Sequence, residues 1–276
     1  MSGTDVSSGG SVAVVTGAGR GIGRSIARGL AARGHRVLIT DIDEAAARSA
    51  AADLGRGCEG IRHDVRDPEG HRAVAERAAG LGSVRVWVNN AGVLVAGDAW
   101  RHEADEFRSA VDVNVLGVMA GSRAAVEAMR DGGGSILNVA SMAAFGPVPG
   151  LAVYAATKAA VLAFTTALQG DLDHAGLPVR AHVLCPDVVD TEMVSARATD
   201  QGAAILFANR RQLSADEVAR AGLGLLGTRR VVGAVPWAGG LVSRFTGLLP
   251  RAGIRMALAA RRAGERKQDA PVGGKR

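Results

Sequence analysis

Short apolar runs rich in β-branched residues alternate along this chain with alanine- and arginine-rich stretches of helical length. Continuous apolar strands must be covered on both faces, and strands separated by helices run in one direction. The alternation therefore dictates a parallel sheet between two layers of helices. The runs predict strands at 12–16, 37–41, 60–64, 84–89, 135–140 and 179–185, with a weaker seventh at 231–235. Helices are expected over 21–33, 44–54, 68–80, 103–129 and 151–174. No internal repeat or linker appears before residue 228, so 11–237 reads as one doubly wound α/β domain with a seven-stranded parallel sheet. Residues 1–10 read as a flexible lead-in, 238–266 as a basic amphipathic helical extension, and 267–276 as a disordered tail. Ligands of such sheets bind at the carboxyl ends of the strands.

Charge sharpens this division. Residues 229–276 carry eleven Lys/Arg against two Asp/Glu, leaving 22 against 25 in residues 1–228. A slightly acidic body with a basic tail and only 3% aromatic residues is not the pattern of a nucleic-acid reader. The two cysteines, Cys58 and Cys185, have no metal-ligand spacing, so no metal is expected and a reduced, cytoplasmic protein is. The opening MSGTDVSSGGS has neither the basic start nor the apolar core of a secretory signal. No segment reads as a membrane-spanning helix.

The first strand runs straight into Thr16-Gly17-Ala18-Gly19-Arg20-Gly21-Ile22-Gly23 and then a helix. Glycines let backbone approach a pyrophosphate, and the helix N-terminus offers free N–H groups and the positive end of its dipole. The turn has no GKS or GKT ending, which excludes a Walker-type loop. Asp41 closes the second strand 24 residues after Gly17, where a carboxylate can accept both ribose hydroxyls of an adenosine and repel a 2′-phosphate. Arg20 pulls toward the phosphate-bearing cofactor. The carboxylate acts directly on the ribose, so NAD is expected over NADP. Asp64 and Val65, at the end of the third strand, are expected beside the adenine.

Tyr154 is the only tyrosine, and Lys158 is one of three lysines against 30 arginines, the other two lying in the last ten residues. Four residues apart on a helix, they share a face. TGAGRGIG (16–23), NNAG (89–92), Asn114 in VNVLG, Ser141 in NVASMAA and YAATK (154–158) resemble, in order and spacing, the short-chain dehydrogenase/reductase family over roughly residues 11–195. The resemblance implies a Rossmann-fold oxidoreductase that moves a hydride between a nicotinamide and a secondary alcohol or ketone. It also implies an Asn114–Ser141–Tyr154–Lys158 tetrad and a homotetramer or dimer. Tyr154 would be the general acid/base. The Lys158 ammonium would lower the phenol's pKa and hydrogen-bond the nicotinamide ribose. Ser141 would stabilise developing charge at the substrate oxygen, and the Asn114 side chain would bind a water on the Lys158 side. Asn90, Ala91 and Gly92 would shape the adenine side, and Pro186 and Thr191 would face the nicotinamide. An NADP-dependent ketoreductase and a non-catalytic dinucleotide-binding scaffold are the alternative readings.

Two features depart from the family. Asp187 stands after Pro186 where the family usually has glycine. Beyond 228, Arg244, Arg251, Arg255, Arg262 and Arg266 form one helical stripe beside an apolar stripe of Leu241, Phe245, Leu248, Ala252, Met256 and Ala259. Pro250 interrupts this run, so two helices or a kinked one are expected, docking by the apolar stripe on the protein body, a neighbouring subunit or an anionic membrane. Pocket walls are expected from 93–96, 142–151 and 187–207, mostly apolar, which suits a lipophilic substrate.

Overall fold

The computed structural model describes residues 10–55, 57–208 and 211–269. Seven strands form one parallel sheet in the order β3-β2-β1-β4-β5-β6-β7. They are β1 Ser11–Thr16, β2 Arg36–Asp41, β3 Glu59–Arg62, β4 Ser83–Asn89, β5 Gly134–Val139, β6 Val179–Pro186 and β7 Val232–Val235. The helices are α1 Gly21–Ala32, α2 Glu44–Leu54, α3 Pro68–Leu81, α4 Ala104–Val111, α5 Gly117–Met129, α6 Ala152–His174, α7 Glu192–Ser195, α8 Ala215–Leu223, α9 Trp237–Leu248 and α10 Pro250–Asp269. Chain order reverses between β1 and β4, which opens the crevice where such sheets bind ligands.

The apolar strand runs divide into two cores because successive side chains point to opposite faces. On one face Val15, Val37, Ile39 and Leu184 pack with Ile26 and Leu30 of α1, Ala47 of α2 and Val218 of α8. On the other Val14, Leu38, Trp87 and Ile136 pack with Val74 of α3, Ala125 and Met129 of α5 and Leu172 of α6.

Three local expectations need correction. The third strand ends at Arg62, so Asp64 lies in the loop beyond it. The span 103–129 is not one helix: α4 and α5 are joined by a π-helical turn, Asp112–Leu116. Composition gives no sign of it, because the turn is fixed by a distant partner described below. The end of the chain is ordered further than expected. α10 continues to Asp269, since Lys267 donates to the carbonyls of Phe207 and Ala208, and Gln268 to those of Ala198 and Asp200. Residues 1–9 and 270–276, the remainder of the expected flexible ends, lie outside the described residues.

Pro250 stands at the start of α10, where its missing N–H costs nothing, so two helices form. The face by which α10 packs on the body is not the expected apolar stripe. Gly253 and Gly264 are buried, and a Cβ at Gly264 would meet the Ala204 carbonyl oxygen, so only glycine permits this close approach to the 3₁₀ segment Gln201–Phe207. Arg261 adds ion pairs to Asp98 and Glu265, each at 3.2 Å. Leu241, Leu248, Ala252, Met256 and Ala259 face solvent, and the Phe245 side chain lies outside the described residues.

Candidate active site

The glycine turn sits at the mouth of the crevice. Gly17 adopts φ +59°, and a Cβ there would lie 2.7 Å from the Ala91 Cα, so the turn and the segment after β4 touch backbone to backbone. Asn90 locks the two together. Its Nδ2 donates to the carbonyls of Thr16 (3.0 Å) and Gly17 (2.8 Å). The Thr16 hydroxyl in turn accepts from the N–H groups of Asn90 and Ala91. The Asn90 side chain thus builds the turn, while Gly92 leaves room for Lys158, whose Nζ would be 3.5 Å from a Cβ at that position. A Cβ at Gly23 would meet Asn90 Nδ2 at 2.5 Å, so α1 starts tight under the loop, with Ile22 packed on the core. Arg20, the residue before α1, supplies no side-chain cap and the first turn holds no acid. The helix therefore presents its N-terminal N–H groups to the crevice, a site for a phosphate anion.

Asp41 is buried at the end of β2. Its carboxylate accepts from Gly19 N (3.0 Å) and Asp43 N (3.1 Å). A carboxylate has about four acceptor positions, so capacity remains for a vicinal diol. The Arg20 guanidinium is turned away to Glu192, N to O 3.0 Å. Asp64 is engaged by Arg66, whose side chain and backbone N–H hold its carboxyl below the ordinary range. Val65 is buried, with its carbonyl on His71 Nε2 at 3.0 Å.

The catalytic candidates converge at the carboxyl ends of β5 and β6. Ser141 lies two residues past the end of β5 and caps the short 3₁₀ turn Met142–Ala144 by accepting from Ala143 N at 3.2 Å. Its hydroxyl donates to the Pro186 carbonyl at 3.5 Å and lies close enough to the Tyr154 phenol to lower its pKa. Tyr154 is half-buried against the apolar cluster of Leu94, Leu151, Val194 and Leu206. Lys158 is buried, with Nζ donating to the Val139 carbonyl at 2.9 Å and lying 5.6 Å from the Tyr154 ring centroid. Burial pushes the phenol up to about 12, the Ser141 hydroxyl pulls it back, and Cys185 adds to the rise. Burial also pushes the Lys158 ammonium down to about 8, with Cys185 opposing.

Asn114 lies in the π turn, fully buried, with both of its amide donors engaged. Oδ1 accepts from Val93 N at 2.8 Å, while Nδ2 donates to Val93 O at 2.9 Å and to Thr157 Oγ1 at 3.1 Å. Oδ1 keeps one acceptor position for the expected water, and these bonds give the side chain a positioning role. It ties the loop after β4 to the turn of α6 that carries Lys158, and it is the distant partner that bends the helix at 112–116. Thr191 directs its hydroxyl to the Val189 carbonyl (3.4 Å) and sets its methyl 3.7 Å from where a Cβ of Gly21 would be. Asp187 turns its carboxylate onto the next backbone N–H, Val188, at 2.9 Å.

A buried network beneath the site was not read from the sequence. Asn89 donates to Asn138 Oδ1 (2.8 Å) and Ser122 Oγ (3.1 Å), and Asn138 donates to Thr165 Oγ1 (2.9 Å). It joins β4, β5, α5 and α6, fixing the strand end before Ser141 and the helix bearing Lys158. The signal was available: an asparagine inside an otherwise apolar central strand must be hydrogen-bonded to be tolerated.

Lys158→Arg should lower turnover by roughly 10²-fold, the scale of a 1 Å misplacement. The buried Nζ donates to the Val139 carbonyl, and a guanidinium would put a wide planar fork where the chain has a compact ammonium. Steady-state kinetics of the variant at saturating cofactor check this, and wild-type turnover would show that charge alone suffices.

The model of the short chain dehydrogenase family matches residues 11–202. The chain is 41% identical over 189 residues to the probable oxidoreductase EphD of Mycobacterium tuberculosis, covering 66% of this chain but 31% of that protein. It thus spans about a third of the length of that relative. It is 38% identical over 228 residues to the 1-deoxy-11-beta-hydroxypentalenate dehydrogenase of Streptomyces avermitilis, covering 80% of this chain and 82% of the other. Among solved structures, a short chain dehydrogenase/reductase from Burkholderia phymatum in complex with NAD superposes with a TM-score of 0.79 at 30% identity, over 85% of this chain and 92% of that one. A single-site variant of actinorhodin polyketide ketoreductase with NADPH gives 0.74 at 30% identity, over 82% and 95%. Sequence match and geometry agree, and the chain belongs to the short-chain dehydrogenase/reductase family.

Proposed function

We propose that this chain is an NAD-dependent oxidoreductase that interconverts a secondary alcohol and a ketone, with Tyr154 moving the proton. The observation that carries the reading is the convergence of Tyr154, Ser141 and Lys158 at strand ends adjoining a glycine turn shaped for a pyrophosphate. When bound, the dinucleotide supplies the hydride acceptor or donor. The N–H groups opening α1 would hold its pyrophosphate, Asp41 its adenosine ribose and Lys158 its nicotinamide ribose. Lys158 spends one N–H on Val139 and keeps two for that task. In the reductive direction the Tyr154 phenol, kept protonated by burial, donates to the forming alkoxide. In the oxidative direction the phenolate accepts the alcohol proton, and the Ser141 hydroxyl hydrogen-bonds the same oxygen.

Two features support NAD over NADP. The buried Asp41 carboxylate ends β2, where an acid would repel a 2′-phosphate, and the cation that could compensate is paired with Glu192. Calorimetric titration should show at least tenfold tighter binding of NAD, about 1.4 kcal/mol or more. Equal affinity, or a preference for NADP, would mean that Arg20 leaves Glu192 and outweighs Asp41. The apolar cluster around Tyr154, with Val148, Ile205 and Phe207 packed against it, supports a lipophilic substrate. NADH formation across a panel of lipophilic secondary alcohols tests this reading. The exposed Phe107, Val111 and Leu116 on α4 and the π turn support assembly into a homo-oligomer, which sedimentation equilibrium would read.

A further inference from the structure

We propose that the outer face of α9 and α10 docks the folded protein onto an anionic lipid bilayer. α10 uses one face to hold the body. At 3.6 residues per turn, Arg251, Arg255, Arg262 and Arg266 fall in a sector about 60° wide, roughly opposite the buried Gly253 and Gly264. All four arginines are exposed. Beside them Ile254 and Met256 also face solvent, and at the turn between the helices Leu248 is 75% and Leu249 63% exposed. Trp237 and Leu241 of α9 are exposed as well. Half of the twelve exposed large apolar side chains among the described residues therefore lie within residues 237–256.

The charge of this region names the occupant. Residues 229–264 contain seven arginines and no acid. A surface that pairs unpaid apolar area with one sign of charge matches a bilayer, whose anionic headgroups meet the guanidinium groups while leucines enter the acyl boundary. A second copy of this chain would have to bring an acidic face to the same arginines. Because α10 is fastened to the body through Gly264, Arg261, Lys267 and Gln268, the tail docks as a fixed surface and need not unfold to bind. The 3₁₀ segment beneath it contributes Ala203 and Leu206 to the apolar cluster around Tyr154, which sets the docking face next to the pocket wall.

The test is co-sedimentation of the full chain with phosphatidylcholine vesicles, with and without phosphatidylserine. Pelleting is expected only with phosphatidylserine, and it should weaken between 0.1 M and 1 M salt as the screening length falls from about 10 Å to about 3 Å. The variant R251Q/R255Q/R262Q/R266Q should lose binding by about fivefold per arginine, and L248S/L249S by at least about tenfold. Unchanged helical circular dichroism and NAD affinity would show that both variants fold. Equal pelleting on uncharged vesicles, no pelleting at low salt, or wild-type binding by either variant would overturn the proposal. So would a concentration-dependent dimer, without vesicle binding, that the arginine variant abolishes.

Discussion

Tyr154→Phe is expected to lower turnover by about 10²–10⁴-fold, the usual scale for losing a general acid/base. The phenyl ring keeps the contacts of Tyr154 with the Leu94–Leu151–Val194–Leu206 cluster and removes only the hydroxyl. No described neighbour can take over the proton. Ser141 carries an aliphatic hydroxyl of far higher pKa, Lys158 is held at the Val139 carbonyl with its other N–H groups assigned to the nicotinamide ribose, and the Cys185 thiol is itself pushed up to about 12 by burial. The groups proposed to hold the dinucleotide, from the glycine turn to Asp41, lie on other strand ends, so NAD affinity should stay nearly unchanged. Turnover and NAD affinity measured on the same preparation check this. Wild-type turnover by the phenylalanine variant would mean that another group moves the proton.

The second large effect is on stability. Lys158 is buried, and its ammonium is pushed from 10.5 down to about 8, so ionising it inside the fold costs roughly 3 kcal/mol relative to the unfolded chain. The sign follows from proton counts. Below about pH 8 both states carry the proton and the penalty is fully present. Between about 8 and 10.5 the unfolded chain holds a proton that the folded one has lost, so Lys158 makes stability rise with pH in that window. Lys158→Met removes the ionisation. Its unfolding free energy at pH 7 should equal or exceed wild type, even with the Val139 carbonyl losing its donor, while turnover collapses. The difference between the two proteins should shrink from pH 8 upward. The difference is read below pH 9, before Cys185, whose raised pKa Lys158 itself moderates, makes stability fall. Denaturant titrations across this range measure the difference. A variant several kcal/mol less stable than wild type at pH 7 would show that the ammonium stabilises the fold, contrary to a site strained for chemistry.

Legibility in the sequence followed how local each determinant is. Apolar strand runs and the Gly17–Gly23 turn were legible because their causes lie within a few residues. α2 was read to both of its ends, since Asp43 caps it by accepting from Ala46 N and Gly55 follows with φ +60°. The π turn was not legible, because its cause is Asn114 reaching Val93 and Thr157, 21 and 43 residues away. α7, the 3₁₀ segment Gln201–Phe207 and α8 were missed. The first two are too short to show a period, and the segment is held by α10 some 60 residues later. The side of α10 that packs on the body was not legible for a related reason: apolar periodicity marked Leu241 through Ala259, whereas backbone proximity at Gly264 decided that contact. Among the site residues, the motif spacing brought Ser141, Tyr154 and Lys158 together correctly in space. It could not show that the Asn90 amide donates to the Thr16 and Gly17 carbonyls, or that Asn114 bridges Val93 and Thr157.

Because Tyr154 is the only tyrosine in the chain, its ionisation can be read by itself. A spectrophotometric titration of tyrosinate absorbance, with and without saturating NAD, addresses the central claim that this fold tunes one phenol for proton transfer beside a nicotinamide. Without cofactor the phenol should stay protonated past its ordinary value of about 10, toward the value of about 12 that burial sets. With NAD bound, the added positive charge should bring the midpoint down by at least about one unit, and NADH should not. A midpoint near 10 that neither cofactor moves would contradict the account.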